Sequence, residues 1–264
     1  MENILISLML CSLLAGFALY KKALTNVGTF IAWVLSIIIT YCGGLVGFVI
    51  LLTVFMATII IGKIFNKKRE TILKNTNQKN GKRDSIQILA NVGFGTISLL
   101  IYYFTKNEIY LITYACVMAS SLADSMASEL GVLSKKDPID ICTFKRIDKG
   151  ISGGVTIFGL VSSMLGSLII AMTFYLMNNN NLKILLFIVI AGFSGSLIDS
   201  ALGSLFQVKY KCQKCNKITE KKEHCDNRTL YFKGIKIINN DIVNIINNFS
   251  VFVLSILLLS QNLS

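Results

Sequence analysis

The sequence predicts an all-α, polytopic transmembrane helical bundle of about eight spans. Three observations carry this. Of 264 residues, 53% are apolar, 15% are charged and one is proline, with a mean hydropathy of +0.64; a soluble domain carries roughly 25% charge. The apolar residues come in blocks of about 18–25, the length that crosses a bilayer. Those blocks are continuous rather than alternating, which excludes a transmembrane β-barrel. The composition also excludes a soluble enzyme, a disordered chain and a disulfide-stapled secreted domain. Spans are expected near 3–20, 24–41, 43–62, 86–104, 108–128, 153–177, 182–206 and 242–260, all in one membrane domain over 1–264. The stretch 207–240 forms a loop between the last two spans.

The net charge of +12 would suit nucleic-acid binding, but its placement argues for topology instead. Four stretches, Lys21–Lys22, Lys63–Arg83, Lys135–Lys149 and Lys209–Lys236, hold 24 of the 26 basic residues. They follow the first, third, fifth and seventh spans, so they share one side. Positive loops stay cytoplasmic, so both termini are expected outside. The N-terminus lacks a basic region before its first apolar run, as expected of an uncleaved span.

Ionisable groups in a bilayer cost at least ~2.5–3.5 kcal/mol each and tend to mark function. Ser121-Leu122-Ala123-Asp124-Ser125 recurs as Ser196-Leu197-Ile198-Asp199-Ser200. Both copies lie near the basic end of an odd-numbered span. Ser121, Asp124, Ser125 and Ser128 fall on one helical face, as do Ser196, Asp199, Ser200 and Gly203. Such stripes of small residues let helices approach closely, so Asp124 and Asp199 could share one pocket. Two opposed aspartates near a membrane surface suit Mg²⁺ with a phosphate ligand. The alternative is a packing seam whose aspartates bond to serines or asparagines. Asn26, Gln87, Asn91, Asp241 and Asn244 lie at the same depth. Glu129 sits about 140° round the helix from Asp124 and is expected to face the loop.

Gly150, Gly153 and Gly154 precede the sixth span, where backbone N–H groups and the helix dipole favour an anion. Lys145, Arg146 and Lys149 add positive charge to this phosphate cradle, and Gly81-Lys82-Arg83-Asp84 is expected to face the same pocket. An ordinary turn and positive-inside anchors are the plain alternatives. Cys212-Gln-Lys-Cys215 followed by His224-Cys225 has the spacing of a small structural zinc knuckle. Adjacent His and Cys are awkward as simultaneous ligands, and a redox dithiol is the competing reading.

Several motifs together resemble the phytyl-phosphate kinase family, integral membrane proteins of plants with bacterial, archaeal and animal relatives. They are Gly-Lys-Arg-Asp-x-x-Gln-x-x-Ala-Asn (81–91), Ser-Leu-Ala-Asp-Ser-x-Ala-Ser-Glu-Leu-Gly (121–131), Thr-Phe-Lys-Arg-x-x-x-Gly-x-x-Gly-Gly-Val (143–155) and Gly-Ser-Leu-x-Asp-Ser-x-Leu-Gly-x-x-x-Gln (195–207). The Cys/His loop and Asn-Asp-x-Val-Asn (240–244) belong to the same pattern. Departures are Ser125 for a frequent threonine, Ile151-Ser152 for Thr-Asn, and Ser204 for alanine.

The resemblance implies phosphoryl transfer from a nucleoside triphosphate, with CTP as the implied donor, to an isoprenoid monophosphate (phytyl, farnesyl or geranylgeranyl phosphate). Asp124 and Asp199 would hold Mg²⁺, with Lys145, Arg146 and Arg83 neutralising phosphate charge. Gly150, Gly153 and Gly154 would offer backbone donors, and Asn91, Asn244 and Glu129 would complete the phosphate site. Membrane lipid is an expected partner and nucleic acid is not. A lipid-phosphate cytidylyltransferase, an ion-coupled transporter and a non-catalytic scaffold are the competing functions.

Overall fold

A computed structural model describes residues 2–21, 23–73, 83–178 and 181–262, with side chains omitted for 2–7, 66–73 and 262. Lys22 and Gly81-Lys82 therefore lie outside the described residues. Among the described residues, seven helices form the bundle: α1 (Glu2–Tyr20), α2 (Asn26–Leu73), α3 (Ser85–Thr105), α4 (Glu108–Gly131), α5 (Ile157–Met177), α6 (Leu182–Leu205) and α7 (Asn240–Asn262). Six of them are long and apolar enough to cross a membrane, and α1 adds a shorter apolar helix.

The second and third expected spans are both within α2. Its regular geometry breaks at Gly44 (φ 57°, ψ −149°), a left-handed φ that favours glycine. The carbonyl oxygen of Ile39 lies 2.8 Å from where a Cβ on Gly47 would sit, so the helix bends sharply there. The sixth expected span starts four residues late, because 153–156 form a short strand and a cap rather than helix. Thr156 caps α5 by accepting from Gly159 N–H at 3.0 Å.

α4 is the central helix. It packs on α2, α3, α5, α6 and α7, and every residue from Leu111 to Ala123 is buried. Outward-facing apolar side chains on the surrounding helices, such as Val161, Met164, Leu165, Leu186 and Ile190, are exposed. This inside-out distribution is expected when hydrocarbon replaces water as solvent.

The contacts of α4 with α5 and α6 are made by small residues. A Cβ on Gly192 would sit 2.7 Å from both Ala119 Cβ and Ser167 Cβ. A Cβ on Gly195 would meet Ser120 Oγ at 2.2 Å and Val251 Cγ2 at 2.9 Å, where α4, α6 and α7 converge. On α5, one added to Gly166 would lie 3.0 Å from the Cα of Ala123. The close seams therefore run through Gly166, Gly192 and Gly195, whereas most of the small-residue stripes read from the sequence, Ser125, Ser128, Ser196 and Ser200 among them, line a cavity nearer the basic end.

The described parts of the four basic connections gather at one end of the bundle. Leu24 bridges to Arg83, and Arg83 pairs with Glu129 at 3.6 Å. The α4–α5 connection carries the antiparallel pair β1 (Ile139–Asp140) and β2 (Gly154–Val155). The α6–α7 connection folds as β3 (Lys209–Lys211), β4 (Ile218–Thr219), β5 (Glu223–His224), β6 (Asn227–Arg228) and β7 (Leu230–Lys233), with β3 between β4 and β7.

Overfilling these seams should separate the helices. Gly195→Val is expected to destabilise the protein by about 1–3 kcal/mol. A lowered thermal midpoint in detergent checks this, with Gly16→Val as control, since a Cβ there meets nothing within 4 Å.

Candidate functional site at the basic end of the bundle

Asp124 and Asp199 meet. Their carboxyl groups lie close enough to interact directly, and Ser128 and Arg83 are within electrostatic reach of Asp124. One oxygen, Asp199 Oδ1, is buried and has no hydrogen-bond partner among the described residues. Two carboxylates this close repel each other unless a proton or a cation lies between them.

Both acids line a cavity of about 320 Å³ at the basic end. The starts of α3, α5 and α7 and the ends of α4 and α6 surround it. From α3 come Gln87 and Asn91, with Arg83 just before the helix. Asp84 caps α3, accepting from Gln87 N–H at 3.0 Å. From α4 come Asp124, Ser125, Ser128 and Glu129; from α6, Ser196, Asp199 and Ser200; and from the start of α7, Asp241 and Asn244. Ser121 lies deeper, donating to Asn91 O at 2.7 Å, and Asn248 beside it donates to Ala90 O at 2.8 Å. These bonds tie α3, α4 and α7 together just beneath the cavity.

The glycine segment forms the opposite wall. Gly150, Gly153 and Gly154 all line the cavity. Gly150 and Gly153 have left-handed φ values of 83° and 90°. A Cβ on Gly153 would lie 2.6 Å from Ser204 Cα on α6, so conformation and space both require glycine there. Asp140, buried on β1, holds the segment from behind. It accepts from Ser204 Oγ at 2.7 Å and from Thr143 N–H at 2.9 Å. Burial works against its charge, but these bonds hold its carboxyl below the ordinary carboxylate value.

Lys145 and Arg146 are corrected by the structure. Both are exposed, and neither lines the cavity. Asp140 N–H binds Lys145 O and Arg146 bridges to Ile139, so the turn between them points away from the glycine wall. Lys149 is the basic residue of this loop that reaches the cavity, and its ammonium donates to Ser134 O. Glu129, expected to face the loop, instead lines the cavity beside Arg83.

Glu220 was not singled out from sequence. It is 7% exposed, lines the cavity and accepts from Ser152 N–H at 2.8 Å. Burial raises its carboxyl above the usual range. Lys209, 1% exposed, donates to Ser152 O at 2.7 Å. Burial, then repulsion from Lys233, lowers its ammonium to about 8. No local motif marks either residue; the only signal was their place beside the cysteine cluster.

Cys212, Cys215, His224 and Cys225 converge, with ligand atoms all within 4.8 Å of one another. Tetrahedral zinc with bonds of ~2.0–2.3 Å spaces its ligands by about 3.3–3.8 Å. Cys215 Sγ and Cys225 Sγ lie 3.5 and 3.2 Å from His224 Nδ1, so the donor set fits such an ion. The awkwardness of adjacent His224 and Cys225 is resolved by left-handed backbone at Cys225 (φ 54°) and Asp226 (φ 59°), which turns the chain back. Backbone N–H of Cys215, then the His224 side chain, lowers the Cys212 thiol to about 6.

A family model described as integral membrane protein DUF92 matches residues 9–252. Among curated relatives, an uncharacterized membrane protein of Methanocaldococcus jannaschii is 28% identical over 207 residues, covering 78% of this chain and 84% of its own. Protein PGR of Arabidopsis thaliana is 28% identical over 272 residues, covering 92% of each chain. An uncharacterized membrane protein of Synechocystis is 25% identical over 193 residues, covering 72% of this chain and 74% of its own. No solved structure matches the chain. With the match running over most of its length, the chain belongs to the DUF92 family of integral membrane proteins.

Proposed function

We propose that the protein is a membrane kinase that transfers a phosphoryl group from a nucleoside triphosphate, CTP, to an isoprenoid monophosphate. The observation that carries this reading is the meeting of Asp124 and Asp199, from separate helices, in a cavity otherwise built for anions. Three helix N-termini and a glycine wall favour phosphate. The lining nonetheless sets Asp124, Glu129, Asp199 and Asp241 against Arg83 and Lys149, with Glu220 taken up by Ser152 N–H. A polyphosphate entering such a cavity must bring divalent cations. Mg²⁺ is the cation whose chemistry fits, and Asp124 with the unpartnered oxygen of Asp199 would hold it. The motif resemblance supports the substrate class, and the apolar flanks of the bundle suit a prenyl tail.

Phosphoryl transfer needs positioning and charge stabilisation more than covalent chemistry. An oxygen of the acceptor phosphate forms a new bond to the γ-phosphorus. The bond from that phosphorus to the β–γ bridging oxygen breaks, and the nucleoside diphosphate leaves with the electron pair. The acceptor is already ionised, so no strong general base is required. Arg83, held by Glu129, and Lys149 would bind phosphate oxygens. Gly153 and Gly154 offer wall backbone, and Asn91 and Asn244 orient the charged groups. The cavity opens at the end rich in basic loops, which the positive-inside rule puts in the cytoplasm.

Purified protein should convert phytyl, farnesyl or geranylgeranyl phosphate to the diphosphate with CTP and Mg²⁺. Asp124→Asn and Asp199→Asn should each lower kcat by ~100-fold or more, the scale for losing one charge-stabilising group. Activity surviving both changes would sink the proposal. A product mass showing a nucleotide on the lipid would assign the cytidylyltransferase reaction instead.

The Cys/His cluster is proposed as a structural zinc site. Elemental analysis of protein purified without chelator should find about one zinc per chain. Cys212→Ser should lose it, and protease sensitivity across 207–240 should rise, since bound metal contributes directly to folding small modules.

A further inference from the structure

The α6–α7 module touches the cavity in a way that neither its zinc-knuckle pattern nor the transfer chemistry explains. β3 and β4 form a hairpin in which Tyr210 pairs with Thr219 and Lys211 with Ile218. Continuing that register by one step sets Lys209 opposite Glu220 at the hairpin's open end. Its closed end is the turn holding Cys212 and Cys215, where Asn216 N–H binds Cys212 O and Cys212 N–H binds Lys217 O, both at 3.0 Å. The four-ligand cluster therefore sits at the tip, and a buried acid–base pair sits at the base.

Both base residues act on one residue of the glycine wall. Glu220 accepts from Ser152 N–H, and Lys209 donates to Ser152 O. Beyond Ser152 the wall is anchored at Gly153, whose carbonyl accepts from Ile141 N–H at 2.9 Å, and the bonds around Ser152 itself are weaker. Gly154 N–H binds Ile151 O at 3.3 Å, and Ile151 N–H binds Asp148 O at 3.3 Å, both long bonds. Ser152 also packs on α6, where a Cβ on Gly203 would meet its Cβ at 3.0 Å. Burying a lysine and a glutamate is costly unless each is paired and hydrogen-bonded, and fixing this one peptide segment is the use the structure makes of them.

We infer that the Cys/His hairpin is a clamp on the glycine wall: Glu220 and Lys209 are positioning residues that hold Ser152, and the cluster at the tip holds the register that keeps them opposed. The effect on the wall backbone stands by itself, whereas the effect on phosphate binding rests on the kinase reading. Glu220 acts here through its hydrogen-bond acceptor, so glutamine should replace it and alanine should not.

The test is hydrogen–deuterium exchange over 148–156, with titration by inorganic pyrophosphate in saturating Mg²⁺, on full-length protein in detergent. Glu220→Ala and Lys209→Met should exchange about tenfold faster at this segment, the scale of one lost charged hydrogen bond. Their pyrophosphate Kd and nucleotide KM should rise by a similar factor, with kcat within about threefold. Glu220→Gln should retain wild-type exchange and affinity. Stripping the metal with a chelator should reproduce the Glu220→Ala exchange pattern.

Wild-type exchange in both Glu220→Ala and Lys209→Met would overturn the clamp. So would a Glu220→Gln variant as impaired as alanine, because the carboxylate's charge would then be what matters. If Glu220→Ala does not fold, the contrast between Glu220→Gln and Lys209→Met decides in the same way. Failure of wild-type protein to bind pyrophosphate or transfer phosphate overturns the kinase reading and leaves the exchange result intact.

Discussion

The close approach of α4 and α6 is the constraint on which the rest depends. Lipid is as apolar as leucine, so helices in a bilayer gain little from burying hydrocarbon against each other. They associate through close packing and hydrogen bonds instead. Gly192 and Gly195 let the backbone of α6 settle against Ala119 and Ser120. One and two turns further towards the basic end, the same seam delivers Asp199 to Asp124. The packing must offset the cost of two carboxylates facing each other. A wider seam would relieve that repulsion, so the small residues oppose what electrostatics alone would do.

The direction of each helix around the cavity matters as much as its sequence. α3, α5 and α7 begin there and present the positive ends of their dipoles. α4 and α6 end there, so their dipoles give no help to the acids they carry. Glu129, in the last turn of α4, is answered by Arg83 at 3.6 Å. Asp124 has only a distant share in that guanidinium. An arrangement that supplies anion-binding helix ends on one side and under-neutralised acids on the other matches a ligand in which metal and phosphate arrive together.

Much of this was legible in the sequence because membrane physics is strict. Continuous apolar blocks and basic connections gave the bundle and the sharing of one end, and the repeated Ser-Leu-x-Asp-Ser segments pointed to the pair at its centre. What escaped depended on three-dimensional turns. Two spans run together in α2 because Gly44 breaks the helix without a loop that composition would reveal. Lys145 and Arg146 are near the wall in the chain, but their backbone bonds to Ile139 and Asp140 on the side of β1 away from β2, which turns them outward and leaves Lys149 at the wall. The angle that seemed to send Glu129 away from Asp124 was correct for one helix. It said nothing of Arg83, which arrives from just before α3 on that other face. Lys209 and Glu220 read as two more charges in a basic loop, and only strand register reveals them as a pair.

The charge distribution then separates two length scales. The chain carries +12, concentrated on connections at the cavity end, and charge outside the cavity acts over about 10 Å at 0.1 M salt. Anions are therefore drawn to this face whatever they carry. Inside, the balance reverses, with acids outnumbering Arg83 and Lys149. A free polyphosphate drawn to the mouth meets repulsion at the Asp124–Asp199 pair. The same molecule with its divalent cation would, on the kinase reading, meet attraction at those carboxylates and backbone donors at the glycine wall. On the kinase reading, the outer field gathers nucleotides and the inner one selects the metal-bound form. The residues that reject the wrong species are then the same two acids that would hold the metal for transfer.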